Sequence, residues 1–262
     1  MPAQLLNGKL LADQILTQVK AKISTLDIQP GLAAILVGDN EASKLYLKLK
    51  ETACLEAGIN FSSYLFPADY KEEQIIEAIK FLNVDTDIQG VLVQLPLPEG
   101  LDTDKIIGTI DPSKDIDGFQ PNSPFTSPTA LGIIELLKET KVNLSGKNVT
   151  ILSNSETFAQ PFKKLLPDSN IQYVNPKSII HNLSSIILNS DVLIAAVGQP
   201  NYIKPTMIKK GAILIDVGIN KVNDKTVGDI DPACDAIASW RSPVPGGVGP
   251  MTVAMLLQNL VK

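Results

Sequence analysis

The sequence predicts an α/β protein built as two lobes with a cleft between them. Three observations carry this. Short apolar runs alternate with amphipathic stretches along the whole chain, which argues for parallel sheets covered on both faces. A Pro-, Ser- and Asp-rich segment, DPSKDIDGFQPNSPFTSP (111–128), interrupts the alternation near the middle, as a crossing between domains does. The length of 262 residues, 44% of them hydrophobic, suits one large or two small cores.

Taken in order, Leu11, Ile15, Val19 and Ile23 recur every four residues and predict a helix over 10–25. GLAAILVG (31–38) reads as a buried parallel strand. Asn40 is placed to cap the next helix, Glu41 suits its positive end, and Gly58 stops it. FSSYLFP predicts a strand, EEQIIEAIKFLN a helix, GVLVQLPLP (90–98) a strand halted by prolines, and LDTDKIIGTI a helical segment. Beyond the crossing, TALGIIELLKET is helical. NVTIL, IQYVN, DVLIAAVG and AILIDVGI are strand candidates separated by helical stretches. The loop RSPVPGGVGP (241–250) leads into a last helix, MTVAMLLQNLV.

Composition narrows the function. With 23 Lys and Arg against 28 Asp and Glu, the net charge is −5, and the cations are scattered. There is no basic footprint for nucleic acid. Cys54 and Cys234 are too few and too far apart for a disulfide framework, and read as packing residues of a reducing compartment. The single histidine, His181, cannot build a zinc site with them, so no metal is expected. No run of 18 apolar residues offers a membrane span. The opening MPAQLLNGKLLADQIL has no signal-peptide block, and a cytoplasmic location is expected.

Candidate chemistry starts at Tyr46 and Lys50, one turn apart on a helix face beside an apolar stripe of Leu45, Leu49 and Ala53. Partial burial beside that stripe would lower the lysine pKa and fit it for proton transfer, although Tyr and Lys at this spacing also mark ordinary helix flanks. The same Y-x-x-x-K string occurs in short-chain dehydrogenases. Those carry a glycine-rich cofactor turn ahead of the pair, and this chain has none there. Gln94 lies within an otherwise apolar run, where a carboxamide needs partners; it is either bonded to neighbouring backbone or turned to a ligand. KDIDG (114–118) is either a surface turn or a place where Asp117 accepts hydrogen bonds from a nitrogen-rich ligand.

In this order, VGDNEASKLYLKLK, GVLVQLPLP, DPSKDIDGF, AAVGQPNYI, KKGAILIDVGIN, VGDID and SPVPGGVGPMTVAMLLQN resemble the methylenetetrahydrofolate dehydrogenase/cyclohydrolase family along almost the whole chain. The resemblance implies a folate-binding lobe over 1–118, completed by the helix 249–262, and a Rossmann-type NAD(P)-binding lobe over 119–248. It assigns Lys50 as the central catalytic residue, Tyr46 as its partner and stacking platform, Gln94 as the group that tunes it, and Asp117 as the pterin grip. Pro245, Gly246 and Gly247 would form a loop closing over substrate. The implied reactions are oxidation of 5,10-methylenetetrahydrofolate with NADP, and hydrolysis of the methenyl product to 10-formyltetrahydrofolate. The implied assembly is a homodimer.

The resemblance thins at the cofactor turn. Where the family has G-R-S-x-x-V-G-x-P, this chain has Ser153 to Pro161, SNSETFAQP, without the two glycines or the arginine. Past the second strand of that lobe stand Asn175, Pro176 and Lys177, and the FQPNSPFTSPTALG stretch is shorter than the family's. Ser153, Asn154, Ser155, Lys177, Gly198 and Ile219 are the cofactor contacts expected, with NADP the main candidate and NAD possible. Two alternatives stay open at this point. One is a cyclohydrolase with weakened or lost hydride transfer; the other is a non-catalytic folate-binding scaffold.

Overall fold

A computed structural model of the chain describes residues 2–178 and 183–262. His181 lies outside the described residues. In chain order the elements are β1 (Gln4–Leu5), α1 (Gly8–Ile23), β2 (Gly31–Val37), α2 (Glu41–Ala57), β3 (Asn60–Phe66), α3 (Glu72–Val84), β4 (Gly90–Val93) and α4 (Thr103–Ile107). Then follow α5 (Pro128–Glu139), β5 (Asn148–Ser153), α6 (Glu156–Leu165), β6 (Asn170–Val174), α7 (Leu183–Leu188), β7 (Val192–Ala196) and β8 (Ile213–Asp216). The chain closes with β9 (Asn220–Val222), β10 (Lys225–Val227), β11 (Trp240–Arg241) and α8 (Val248–Leu260). They group into two compact units, a first of Ala12–Pro128 with Val253–Lys262, and a second of the residues up to Leu11 with Thr129–Thr252.

The first unit holds a three-stranded parallel sheet in the order β3-β2-β4. Every residue of β2 is buried, as a central strand covered on both faces requires. Ile75, Ile79 and Leu82 from α3 pack on Ala33, Ile35 and Val91 in its core. α2 begins where Asn40 accepts a hydrogen bond from the Ser43 N–H and ends at Gly58 in the left-handed region, φ 86°, as the sequence leads one to expect.

The second unit is built on a six-stranded parallel sheet in the order β1-β11-β8-β7-β5-β6. β5 pairs with β6 on one side and β7 on the other, so the strand order reverses at β5. An open α/β sheet leaves a crevice at such a point, outside the carboxyl ends of the strands. Leu152, Val174, Leu193, Ala195 and Leu214 fill the core on this sheet.

Several expectations need correction. The strand read over 90–98 stops at Val93; Gln94 makes one more ladder bond, N–H to Ile35 O at 2.8 Å, before the prolines end the pairing. The last helix starts at Val248, not at Met251, because its first turn needs no apolar periodicity to form. The stripe of Leu45, Leu49 and Ala53 does not form one buried flank: Leu45 is 54% and Leu49 50% exposed. At 100° per residue the inward face of α2 is instead Leu47, Lys50, Cys54 and Ala57, so Lys50 is part of the packed face. β1, β11 and the β9–β10 hairpin, strands of two or three residues, are too short to show an apolar alternation in the sequence.

Candidate functional site

Lys50 is held where a lysine rarely sits, 8% exposed on the inner face of α2. Its Nζ donates to Gln94 Oε1 at 3.0 Å. The carboxamide is fixed in turn, because Gln94 Nε2 donates to Leu95 O at 3.0 Å. Ser43 Oγ donates to the same carbonyl at 3.4 Å, tying the first turn of α2 to the turn after β4. Gln94 thus bonds neighbouring backbone and presents its oxygen to the ammonium. Tyr46 lies half-buried one turn before Lys50, and that burial pushes its phenol up.

Asp117 completes the cluster. Burial pushes its carboxyl up, and the Lys50 charge pulls it back down, so the two groups feel one another electrostatically. The loop that carries it is pinned at three places. Lys114 Nζ donates to the carbonyls of Leu82 and Asp85 at the end of α3, where a cation suits the helix dipole. Gly118 takes φ 63°, and a Cβ there would stand 2.7 Å from Phe125 O, so the chain passes itself more closely than any side chain permits. Asn259, on α8 and 1% exposed, donates from Nδ2 to Ile116 O at 2.9 Å and Thr126 O at 3.0 Å. Sequence reasoning missed Asn259; a buried carboxamide in the apolar run AMLLQNL was its signal.

In the second unit, Pro245, Gly246 and Gly247 run against the start of α1. Lys9 N–H donates to Gly246 O at 2.9 Å, and a Cβ on Gly8 would meet Gly247 O at 2.0 Å. Gly246 itself is open, with φ 101° and nothing within 4 Å of a Cβ position.

The turn that carries Ser153, Asn154 and Ser155 lies at the carboxyl ends of β5 and β7. Ser153, buried, turns its Oγ back to accept the Ser155 N–H at 3.1 Å. Asn154 Nδ2 donates to Val197 O at 2.7 Å and links the two strand ends. Ser155 starts α6 without a side-chain cap bond, and Glu156 stands in the first turn of that helix. The side chains this turn carries inward are absorbed. Ala159 is buried, and Phe158 packs edge-on against Phe162 with ring centroids 5.7 Å apart. Lys177 is exposed in the turn after β6, its N–H bonded to Asn175 Oδ1. Gly198 sits at φ 72° past β7, with nothing within 4 Å of a Cβ position, and Ile219 is 49% exposed past β8. Among the described residues no group of His, Cys, Asp and Glu could hold a metal, and no helix is long and apolar enough to cross a membrane.

The second unit is thus a dinucleotide-type Rossmann sheet, and the first carries a preset lysine–carboxamide–carboxylate site; the two define a two-unit α/β enzyme. Comparison with known proteins gives the family. Residues 6–117 match the catalytic domain of tetrahydrofolate dehydrogenase/cyclohydrolase, and residues 127–262 match its NAD(P)-binding domain. The bifunctional protein FolD of Acetivibrio thermocellus is 41% identical over 276 residues, covering 100% of this chain and 97% of that protein. That of Geotalea daltonii is 42% identical, covering 99% and 98%. The FolD crystal structure from Campylobacter jejuni superposes with a TM-score of 0.93 at 38% identity, covering 99% of this chain and 97% of that one. The Trypanosoma brucei FolD structure, complexed with NADP cofactor and inhibitor, gives 0.94 at 30% identity, covering 99% and 96%. The chain belongs to the tetrahydrofolate dehydrogenase/cyclohydrolase family.

Proposed function

We propose that this chain oxidises 5,10-methylenetetrahydrofolate to 5,10-methenyltetrahydrofolate with NADP, and hydrolyses the methenyl compound to 10-formyltetrahydrofolate. The observation that carries the reading is the Lys50–Gln94 hydrogen bond within hearing of the Asp117 carboxyl, inside the segment that matches the family's catalytic domain.

In this reading Asp117 takes two N–H bonds from the amino-pyrimidinone edge of the pterin, a geometry suited to a bidentate carboxylate. Tyr46 offers a ring face for stacking, and Pro245, Gly246 and Gly247 close over the substrate without side chains in the way. NADP, when bound, accepts the hydride. Nitrogen lone-pair donation from the folate drives that departure, so the protein's task there is positioning. Ser153, Asn154, Ser155, Lys177, Gly198 and Ile219 surround the dinucleotide, with Lys177 the positive charge available to a 2′-phosphate.

Hydrolysis asks more of the chain. Water adds its oxygen to the methenyl carbon and gives up both its protons: one ends on the ring nitrogen as its bond to that carbon breaks, and the other is released to solvent, which discharges the methenyl cation. Lys50, oriented by Gln94, moves the first of these from the water to the nitrogen. Nothing favours a chain that lacks hydride transfer, since similarity to the NAD(P)-binding domain runs through 127–262. A homodimer formed through the second unit, and a cytoplasmic location, complete the proposal. Calorimetric titration with NADP and with a folate analogue tests it: both must bind, and a chain that binds only one contradicts it.

A further inference from the structure

Among the described residues, two carboxylates outside the cluster around Lys50 are fully buried in the second unit, and neither has a cation as its hydrogen-bond partner there. Asp229, 0% exposed, receives four donors. Its Oδ2 accepts the N–H groups of Val197 and Gly198, and its Oδ1 accepts those of Gln199 at 2.9 Å and Asn220 Nδ2 at 3.0 Å. Asp216, 1% exposed at the end of β8, holds Asp229 in place. It accepts the backbone N–H of Asp229, of Ile230 and of Gly218 at 2.9, 2.9 and 3.0 Å. Space for the pair is reserved by two glycines. A Cβ on Gly218 would stand 2.2 Å from Asp229, and one on Gly228 would stand 1.9 Å from Asp216.

Three successive backbone N–H groups converging on one carboxylate are an anion-binding nest with its anion built in. The nest lies where the chain leaves β7, at the reversal of strand order beside β5. From there the linkage continues, because Val197 O receives Asn154 Nδ2 of the turn before α6. Filling the nest from within has a second effect. It withholds the N–H groups of 197–199 from a ligand.

We infer that Asp229 is the positioning residue of the dinucleotide crevice: its carboxylate, fixed by Asp216, sets the Val197–Gln199 segment and through it Asn154. This deepens the dinucleotide reading of the second unit and rests on it. In Asp229→Asn, whichever way the amide turns, its NH2 faces two N–H donors, so the segment must shift. Asn220→Ala removes one donor and leaves the carboxylate with its three backbone partners.

The test is calorimetric titration of the full chain with NADP, alongside steady-state kinetics of both reactions. Wild type binds NADP. Asp229→Asn binds about tenfold more weakly or worse, and Asn220→Ala about threefold more weakly. In Asn220→Ala the KM for NADP rises while kcat, the folate KM and methenyl hydrolysis hold, a split that a general loosening of the fold does not give. A folded Asp229→Asn with wild-type NADP affinity overturns the inference. If that variant fails to fold, wild-type affinity in Asn220→Ala overturns it equally. A wild-type chain that does not bind NADP overturns the dinucleotide reading itself, and the inference with it.

Discussion

Lys50 Nζ meets Gln94 Oε1 at 3.0 Å across 44 residues of sequence, joining the inner face of α2 to the residue that ends β4. A carboxamide whose other end is committed to Leu95 O can only offer its oxygen to the lysine. The ammonium is aimed before any substrate arrives, which is what general acid–base work requires.

Replacing the lysine isolates that role. Lys50→Met keeps the volume of a buried, unbranched side chain and should fold. Methenyl hydrolysis, followed by loss of the methenyl absorbance, is expected to fall by at least about a hundredfold. Hydride transfer should suffer less, because it asks no base of the protein. Near-normal hydrolysis in the folded variant would remove Lys50 from the mechanism.

The charge of Lys50 also sets the pH range of Asp117. Burial raises this carboxyl and Lys50 lowers it, so Lys50→Met leaves only the rise. In the proposed function Asp117 grips the pterin as a carboxylate. As pH falls, affinity for a folate analogue is therefore expected to decline at a higher pH in Lys50→Met than in wild type. Coincident affinity profiles would show that the two groups do not interact.

The loop bearing Asp117 depends on Asn259. Asn259→Leu strands the carbonyls of Ile116 and Thr126, and each buried orphan costs about 1–3 kcal/mol. A lower denaturant midpoint with weaker folate-analogue binding is expected. An unchanged midpoint would mean that water replaces the amide without loss.

Burial pushes the carboxyl of Asp216 from 3.8 to about 6. The folded chain then holds this proton more tightly than the unfolded chain does. Its contribution to stability is therefore fully present below about pH 4 and is lost as pH rises to about 6. Relative to Asp216→Asn, wild type should lose up to about 3 kcal/mol over that interval, read from denaturant midpoints. A pH-independent difference would contradict it.

Burial raises both thiols, Cys54 to about 12 and Cys234 to about 11. The thiolate is the reactive form, so neither should react with iodoacetamide in the native chain at about pH 8, and both should once it is unfolded. Mass spectrometry of the two samples decides this; rapid native alkylation would place a thiol at the surface.

Local signals were the legible part of this chain. Asn40, Gly58 and the all-apolar β2 announce their element in a few residues, because capping, left-handed φ and burial on both faces act locally. What failed was long-range or geometric. β1 and β11 are two residues each and exist only because they pair with one another and with β8. The stripe on α2 was misread because Leu45 and Leu49 outweighed the lysine that the helix turns inward. VGDID could be matched as a string, but the four donors around Asp229 come from the segments 197–199 and 220, which sequence does not juxtapose. Lys50, Gln94 and Asp117 were legible as candidates; their mutual placement required the fold.

The most direct test of the central claim is a paired absorbance assay on one preparation. Methylenetetrahydrofolate oxidation is followed with NADP and then with NAD, and the decay of the methenyl chromophore is followed independently. The chain is expected to reduce NADP and to hydrolyse the methenyl compound. Hydrolysis without reduction of either nucleotide would contradict the dinucleotide function of the second unit and leave its Rossmann sheet a scaffold.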